Sequence, residues 1–392
     1  MRFKSYQIAD LISEISMGPF GSNIKVDCFV SDGIPVLNGS NLDGFALKED
    51  SFRYVTGEKA DSLGKANAWK RDVIITHRGT LGQIVFIPET AQYDRYVISQ
   101  SQFRVKCNDK VLPEYLVYYF HTRLGQHKLL ANASQVGVPA LARASTTFQK
   151  IEIDIPDVLY QKKIVNFLEA IRRKIELNNQ INKNLQEQAQ TIYSAIFVDN
   201  ADVAWPLGVL SDIANITMGQ SPQGDTYNED GVGTVFFQGR AEFGFRFPTR
   251  RLYTTDPKRM ARTNDVLMSV RAPVGDINVA YEPCCIGRGL GAIHSKDGNQ
   301  SFVLYTMFAL REQLDVFNGE GTVFGSINRN ALNSMSIHIP PMEQIERFEQ
   351  LVKPMDAAIR NNYKEICRLE IMRDSLLPRL MSGELDVSTL NP

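Results

Sequence analysis

From Gln161 to Phe197 the apolar residues recur at alternating steps of four and three, and no Gly or Pro interrupts the chain between Asp157 and Trp205. Ile164, Leu168, Ile171, Ile175, Asn178, Asn182, Leu185, Ala189, Ile192 and Ile196 form the ladder. This is the period of a helix whose seam is buried against another helix. At 1.5 Å per residue, roughly 35 helical residues make a rod of about 50 Å. The partner lies in the same chain: Val352, Met355, Ile359, Asn362, Ile366, Leu369, Arg373, Leu376 and Leu380 repeat the ladder, with Asn362 at the place of Asn178. Two ladders sharing a polar residue at an otherwise apolar position indicate two copies of one module.

The segments between the ladders repeat as well. Residues 6–157 read as short strands and loops, with strands at Ile34-Pro-Val-Leu and Asp72-Val-Ile-Ile-Thr, a helical patch at Glu114–His121 and a last strand at Ile151–Pro156. Asp10 pairs with Asp212, Gly18 with Gly219, Gly39 with Gly239, Gly137 with Gly325, and Ile155-Pro156 with Ile339-Pro340. Asp72-Val-Ile-Ile-Thr-His-Arg-Gly-Thr-Leu-Gly aligns with Asp265-Val-Leu-Met-Ser-Val-Arg-Ala-Pro-Val-Gly, so Arg78 pairs with Arg271 and Gly82 with Gly275. The matches stay collinear, as tandem duplication requires and chance does not. The expected organisation is a domain at 1–158, a helix at 159–199, a domain at 200–342 and a helix at 343–392. The fold class is α+β: two pseudo-symmetric globular domains separated by a pair of long antiparallel coiled-coil helices. Pro354 and Pro378 lie on the second ladder only, which predicts a kink or interruption there and a straighter first helix.

The net charge of −1 excludes a uniformly basic coat for nucleic acid, so any such site is a local patch. The five cysteines form no CxxC pair and the histidines no metal-ligand spacing; neither a metal site nor a disulfide framework is expected. The Met1–Leu11 stretch has no apolar core of a signal peptide and no run of 18 apolar residues occurs, which points to a cytoplasmic protein without a membrane span. Enzyme motifs are missing too: no P-loop, HExxH, Gly-x-Ser-x-Gly, or Asn/Asp-Pro-Pro-aromatic run. Gly287-Arg-Gly-Leu-Gly lacks the third glycine spacing of a cofactor loop and reads as a tight turn; Cys284-Cys285 reads as a strand end.

The duplicated Asp-Val-(Ile/Leu)-x-(Thr/Ser)-x-Arg-x-x-x-Gly pattern, the Ile155-Pro156…Gln161 and Ile339-Pro-Pro…Gln344 lead-ins to the two helices, and the final Met381-Ser-Gly-Glu-Leu resemble the specificity subunits of type I restriction-modification systems. The resemblance covers essentially the whole chain. It implies two target-recognition domains, each reading half of a split sequence in double-stranded DNA, and helices that dock two methyltransferase subunits. It also implies restriction subunits in the complex, and S-adenosylmethionine, ATP and magnesium on partner subunits, with none bound by this chain. Ala272-Pro273 in place of Gly79-Thr80 departs from the pattern, so one turn must differ. The rival is a coiled-coil scaffold or adaptor that binds no DNA.

DNA recognition needs cations for phosphates and planar donors or acceptors for base edges. Between Arg240 and Arg288, nine basic residues against five acidic ones leave a local +4, interleaved with Phe243, Phe245, Phe247 and Tyr253. The expected base readers are the residues that differ between copies: Asn38, Asn41 and Gln135 in the first, Gln238, Arg240, Arg246 and Arg250 in the second. Lys25, His77, Arg95 and Arg143 complete the candidates of the first domain. Arg78 and Arg271, common to both, cannot carry a difference between half-sites; they either position phosphate or pair with a nearby carboxylate such as the Asp a few positions earlier. Asn178 and Asn362 are expected in the helix seam with Ile171, Ile175, Leu185, Ile359 and Leu369, where a buried Asn fixes register. Facing a docked subunit is the alternative, and for Asn182 both readings stay open.

Overall fold

The computed structural model describes residues 3–134, 137–319 and 325–390. The chain divides into two compact units, Met1–Ile175 with Cys367–Pro392, and Glu176–Ile366. Two long helices, Val158–Ser194 and Met342–Ser382, each contribute a segment to both units.

In the first unit, Lys4–Gln7 pairs antiparallel with Glu152–Ile155. A four-stranded antiparallel sheet runs in the order Ile12–Met17, Gln102–Cys107, Asp72–Thr76, Ile84–Phe86. A five-stranded sheet has the order Phe29–Val30, Arg53–Val55, Ile34–Val36, Arg95–Val97, Asn67–Trp69, with one parallel pairing, between Ile34–Val36 and Arg95–Val97. The second unit repeats this strand for strand. Leu207–Val209 pairs with Ser336–His338. Ala214–Met218, Leu290–Ser295, Val266–Ser269 and Ile277–Val279 make its four-stranded sheet. Tyr227–Asn228, Leu252–Thr254, Thr234–Phe237, Cys284–Ile286 and Met260–Ala261 make its five-stranded sheet, again with the single parallel pairing between the third and fourth strands. The duplication expected from collinear residues is therefore a duplication of topology.

The shared motif has a local explanation. Asp72 accepts from the Trp69 N–H at 3.0 Å and Asp265 from the Arg262 N–H at 2.7 Å, closing the same turn. The residues just before them, Arg71 and Asn264, both take positive φ, 72° and 71°. Ten residues on, Gly82 and Gly275 hold φ of 89° and 90°, a backbone that side chains strain. The departure at Ala272-Pro273 also shows: Gly79 turns with φ 92°, whereas Ala272–Pro273 is a cis peptide.

Each unit has its own core. In the first, Ile164 and Leu168 of the central helix join Leu377, Leu380 and Met381 of the C-terminal helix beneath the four-stranded sheet and the helix Pro113–His121. Further along the helices, Ile171 and Ile175 are buried and Leu369 is half-buried. In the second, Ala189, Tyr193 and Phe197 pack with Ile345, Phe348, Val352 and Ile359, and Leu185 lies against that cluster. Asn178 and Asn182 are both buried in this seam. Asn178 donates to Glu365 Oε2 at 2.8 Å, and Asn362 donates to Asn182 Oδ1 at 2.9 Å, so contacts run antiparallel. Asn182 thus belongs to the seam with Asn362.

One expectation is corrected, and of the two outcomes expected at the prolines, interruption is excluded. The strict ladder slips at its end: Tyr193 and Phe197 are buried where Ile192 and Ile196 are only half-buried. A straight helix of 3.6 residues per turn drifts from a seven-residue repeat, and here the aromatics meet Phe302 and Phe348. Pro354 and Pro378 do not interrupt the C-terminal helix, which is continuous over 41 residues. Both prolines are exposed, so the carbonyl each frees faces solvent. The irregular turn falls instead at the end of the central helix, where Ala195–Asp199 is π-helical.

A Cβ at Gly275 would meet the Leu314 side chain at 3.0 Å in addition to the positive φ. Gly275→Ala is expected to destabilise the protein by about 1–3 kcal/mol. Gly57→Ala, at a helical position with no neighbour within 4 Å, is expected to be neutral or slightly stabilising. Thermal unfolding of both variants checks this; equal losses would mean that the conserved turn geometry is not what Gly275 supplies.

Candidate nucleic-acid interface

Beyond the strand Asp72–Thr76 the chain passes through half-buried His77 to exposed Arg78, where two segments are tied to it. His77 N donates to Ser101 O at 2.8 Å, Leu141 N to His77 O at 2.9 Å, and Gly79 N to Pro139 O at 2.9 Å. Arg78 itself forms a bridge with Ala140. Gly18 N donates to Gln102 O at 2.8 Å, and the Gln102 side chain donates to Asn38 O at 3.3 Å.

The second unit builds the same edge. Val270 N donates to Gly289 O at 2.9 Å, Ile327 N to Val270 O at 3.1 Å, and Ala272 N to Gly325 O at 2.9 Å. Arg271 bridges to Ser326, and Gly219 N donates to Leu290 O at 2.9 Å. The shared Met-Gly is explained by close approach: a Cβ on Gly18 would stand 1.9 Å from Ser99 O, and one on Gly219 2.1 Å from Gly287 O. One backbone frame thus gathers Asn38, His77, Arg78 and Gln100 in the first unit. It gathers Gln238, Val270, Arg271 and Arg288 in the second.

Arg78 and Arg271 are exposed, and neither guanidinium has an ion-pair partner among the described residues. The carboxylates that might have held them are engaged elsewhere. Asp72 pairs with Arg104 at 3.2 Å and Asp265 with His294 at 2.6 Å. Burial pushes both carboxyls above the usual range, opposed by the turn N–H of Trp69 or Arg262 and by the basic partner. Neither Asp72 nor Asp265 therefore pairs with the shared arginine, and no other carboxylate does so among the described residues. Burial also holds the His77 imidazole below its ordinary pKa, against its hydrogen bond to Gln100 O. At neutral pH it is an uncharged donor and acceptor.

Other expected base readers lie differently. Asn41 is fully buried, accepting from Asn38 N and donating to Lys48 O and Asp50 O at 3.0 and 2.7 Å. It shapes the loop that presents Asn38 and offers no free edge to a base. Arg246 is 4% exposed, donating to Tyr305 Oη at 3.0 Å and paired with Asp356 at 3.3 Å, so it anchors the domain to the C-terminal helix. Arg240 pairs with Asp276 and Arg250 with Glu282, both at exposed positions where such pairs are weak and exchangeable. Arg251 and Lys258 are also paired, so four of the nine basic residues are held by acids already in that count, and the net +4 rests on Arg246, Arg259, Arg262, Arg271 and Arg288 against Asp265. Phe247 is buried and Phe245 exposed. In the first unit Arg95 pairs with Asp61, Lys25 is exposed, and Arg143 takes positive φ at the start of a short helix. Gln135 lies outside the described residues.

Sequence reasoning missed Gln100 and used Arg288 only in a charge count. The signal was the alignment of Ser99-Gln-Ser with Gly287-Arg-Gly, hidden because none of the three residues is identical. Gly287-Arg-Gly is the turn between two sheets, and Cys284 and Cys285 are fully buried, the Cys284 thiol pushed up to about 12 by burial. Among the described residues no group of three or more His, Cys, Asp or Glu could hold a metal ion, and no helix is long and apolar enough to cross a membrane.

The family model of the type I restriction modification DNA specificity domain matches the chain twice, at residues 27–187 and 203–368. A Methanocaldococcus jannaschii protein assigned as the specificity subunit of type I restriction enzyme MjaX is 26% identical, over 91% of this chain and 88% of that one. The HindI specificity subunit of Haemophilus influenzae is 22% identical over 98% of this chain and 99% of its own length. The crystal structure of the S subunit of a type I restriction-modification system from M. genitalium superposes with a TM-score of 0.61. It is 14% identical and covers 97% of this chain and 96% of that one, a likeness of fold.

With guanidinium groups that have no ion-pair partner among the described residues, Arg78→Ala and Arg271→Ala are each expected to weaken DNA binding evenly across sequences and to reduce the magnitude of the salt-dependence slope by about 1. Titrations at several salt concentrations check this; a change in base preference with an unaltered slope would refute phosphate positioning.

Proposed function

Because the chain belongs to the type I restriction modification DNA specificity family, we propose that each unit's duplicated edge reads one half of a split, asymmetric DNA target. The observation that carries this reading is the pairing of an identical backbone frame with different side chains: Asn38, His77 and Gln100 in one unit, Gln238, Val270 and Arg288 in the other. The frame with Arg78 or Arg271 fixes each domain on the backbone, and the variable positions face the bases. An adaptor that binds no nucleic acid leaves this arrangement unexplained.

The chain's contribution is geometric rather than catalytic. The helices linking the domains set the number of base pairs between half-sites, and they dock two methyltransferase subunits. Leu159, Leu177 and Ile371 are large apolar residues exposed on those helices, suited to such contacts. S-adenosylmethionine belongs to the methyltransferase subunits, which transfer the methyl group to adenine N6 after extruding the base. ATP and magnesium belong with restriction subunits that complete the complex.

Co-expression with the methyltransferase subunit, followed by mapping of methylated adenines, is expected to give a two-part motif that disappears when this chain is omitted. Methylation without a split motif, or one indifferent to this chain, would refute the assignment. Removing one matched heptad from both helices removes about 10 Å of rod, so the spacer is expected to shorten by about three base pairs with both half-sites unchanged. Altered half-site bases instead would overturn the spacing role.

A further inference from the structure

Position 100 of the first unit and position 288 of the second occupy the same point on the duplicated edge. Both lie in the turn that leads from the five-stranded sheet into the long strand of the four-stranded sheet, after Arg95–Val97 and before Gln102–Cys107 in one unit, after Cys284–Ile286 and before Leu290–Ser295 in the other. The residue that follows each is held identically, Ser101 O by His77 N and Gly289 O by Val270 N, at 2.8 and 2.9 Å. Both side chains are exposed. We infer that Gln100 and Arg288 are equivalent base-reading positions, Gln100 recognising adenine in one half-site and Arg288 recognising guanine in the other. This inference rests on the reading of the edge as a DNA interface.

Three observations favour bases over phosphates. A phosphate-clamping position calls for a cation in both copies, as Arg78 and Arg271 supply; position 100 is a neutral amide. The chemistry of the pair matches the two bidentate major-groove readings, an amide on adenine N6 and N7 and a guanidinium on guanine O6 and N7. The loop facing each residue is also adapted to it. Opposite Gln100 stands Gly21, where a Cβ would come within 2.1 Å of Gln100 Oε1, so the missing side chain makes room for the amide. Opposite Arg288 stands Ser221, whose hydroxyl accepts from Arg288 N at 3.2 Å and from Gln238 Nε2 at 2.9 Å. That hydroxyl holds the Gln238 amide beside the Arg288 backbone, so the two residues leave the turn side by side.

The test is exchange of the two residues in the assembled methyltransferase complex. The readouts are the methylated motif and binding to duplexes carrying the wild-type target and its single-base substitutions. Arg288→Gln is expected to cost roughly 5- to 150-fold in preference for one guanine and to shift that position towards adenine. Gln100→Arg is expected to do the converse at one adenine of the other half-site, and the spacer is expected to stay unchanged in both. An even loss over all sequences, accompanied by a salt slope lowered in magnitude by about 1 for Arg288→Gln, would make Arg288 a phosphate contact and overturn the inference. An unchanged motif would overturn it as well. So would loss of all binding by both variants when each melts as the wild type does, since the positions would then be framework. A wild-type complex that methylates no split motif would instead refute the underlying DNA reading.

Discussion

The buried carboxylate at the head of each unit's inner strand is the interaction on which the candidate interface depends. Asp72 and Asp265 are 3% and 4% exposed, and an unpaired charge at such positions costs several kcal/mol. Each is compensated by the N–H three residues earlier and by one basic side chain. That partner is Arg104 in the first unit and His294 in the second. They come from neighbouring, non-equivalent positions on the facing strand, since Arg104 pairs in register with Ile74, whereas His294 lies one residue beyond the Ile293 that pairs with Val266. The carboxylate was retained through duplication while its side-chain partner was solved twice. With the turn closed, the strand's register is set, and six residues later it delivers Arg78 or Arg271 to the surface.

Attachment of each domain to its helix segments shows the same pattern of a retained task with changed parts. Tyr118 donates to Glu169 at 2.7 Å and Tyr305 to Asp356 at 2.9 Å, so a buried tyrosine meets a helix carboxylate in both units. Gln161 is fully buried and bonds Leu112 N, Lys110 O and Pro156 O, which accounts for its place in the lead-in to the central helix. Its counterpart Gln344 is exposed, and in the second unit Glu349 takes over by accepting from Phe302 N at 2.8 Å. Each candidate edge is thereby carried on a domain tied by buried hydrogen bonds to the helix segments of its own unit.

Much of the fold was legible because duplication tests every reading twice. The Asp-to-Gly motif, the Met-Gly turns and the helix ladder are backbone requirements, and such requirements persist when side chains drift. The candidate site was harder to read for the converse reason. Asn41 has the chemistry of an adenine reader and Arg246 that of a guanine reader, yet both are consumed by burial and internal bonds that no composition reveals. The Arg-aromatic run from Arg240 onward looked like one continuous set of base readers because charge counting cannot see pairing; Asp276, Glu282 and Glu242 hold Arg240, Arg250 and Arg251.

On the reading proposed for the duplicated edge, selectivity rests on the positions where alignment by identity fails. Gln100 and Arg288 share neither chemistry nor flanking residues, and only the common hydrogen bonds to His77 N and Val270 N reveal that they correspond. This follows from the physics of a duplicated reader. Identity is retained where both copies do the same work, on the sugar-phosphate backbone and in the turns that aim the strand. It is lost where the copies must differ, because two half-sites with different bases demand different donors and acceptors on the same scaffold. Matching hydrogen bonds around non-matching side chains are therefore what a duplicated reader of a split target is expected to show at its base-reading positions.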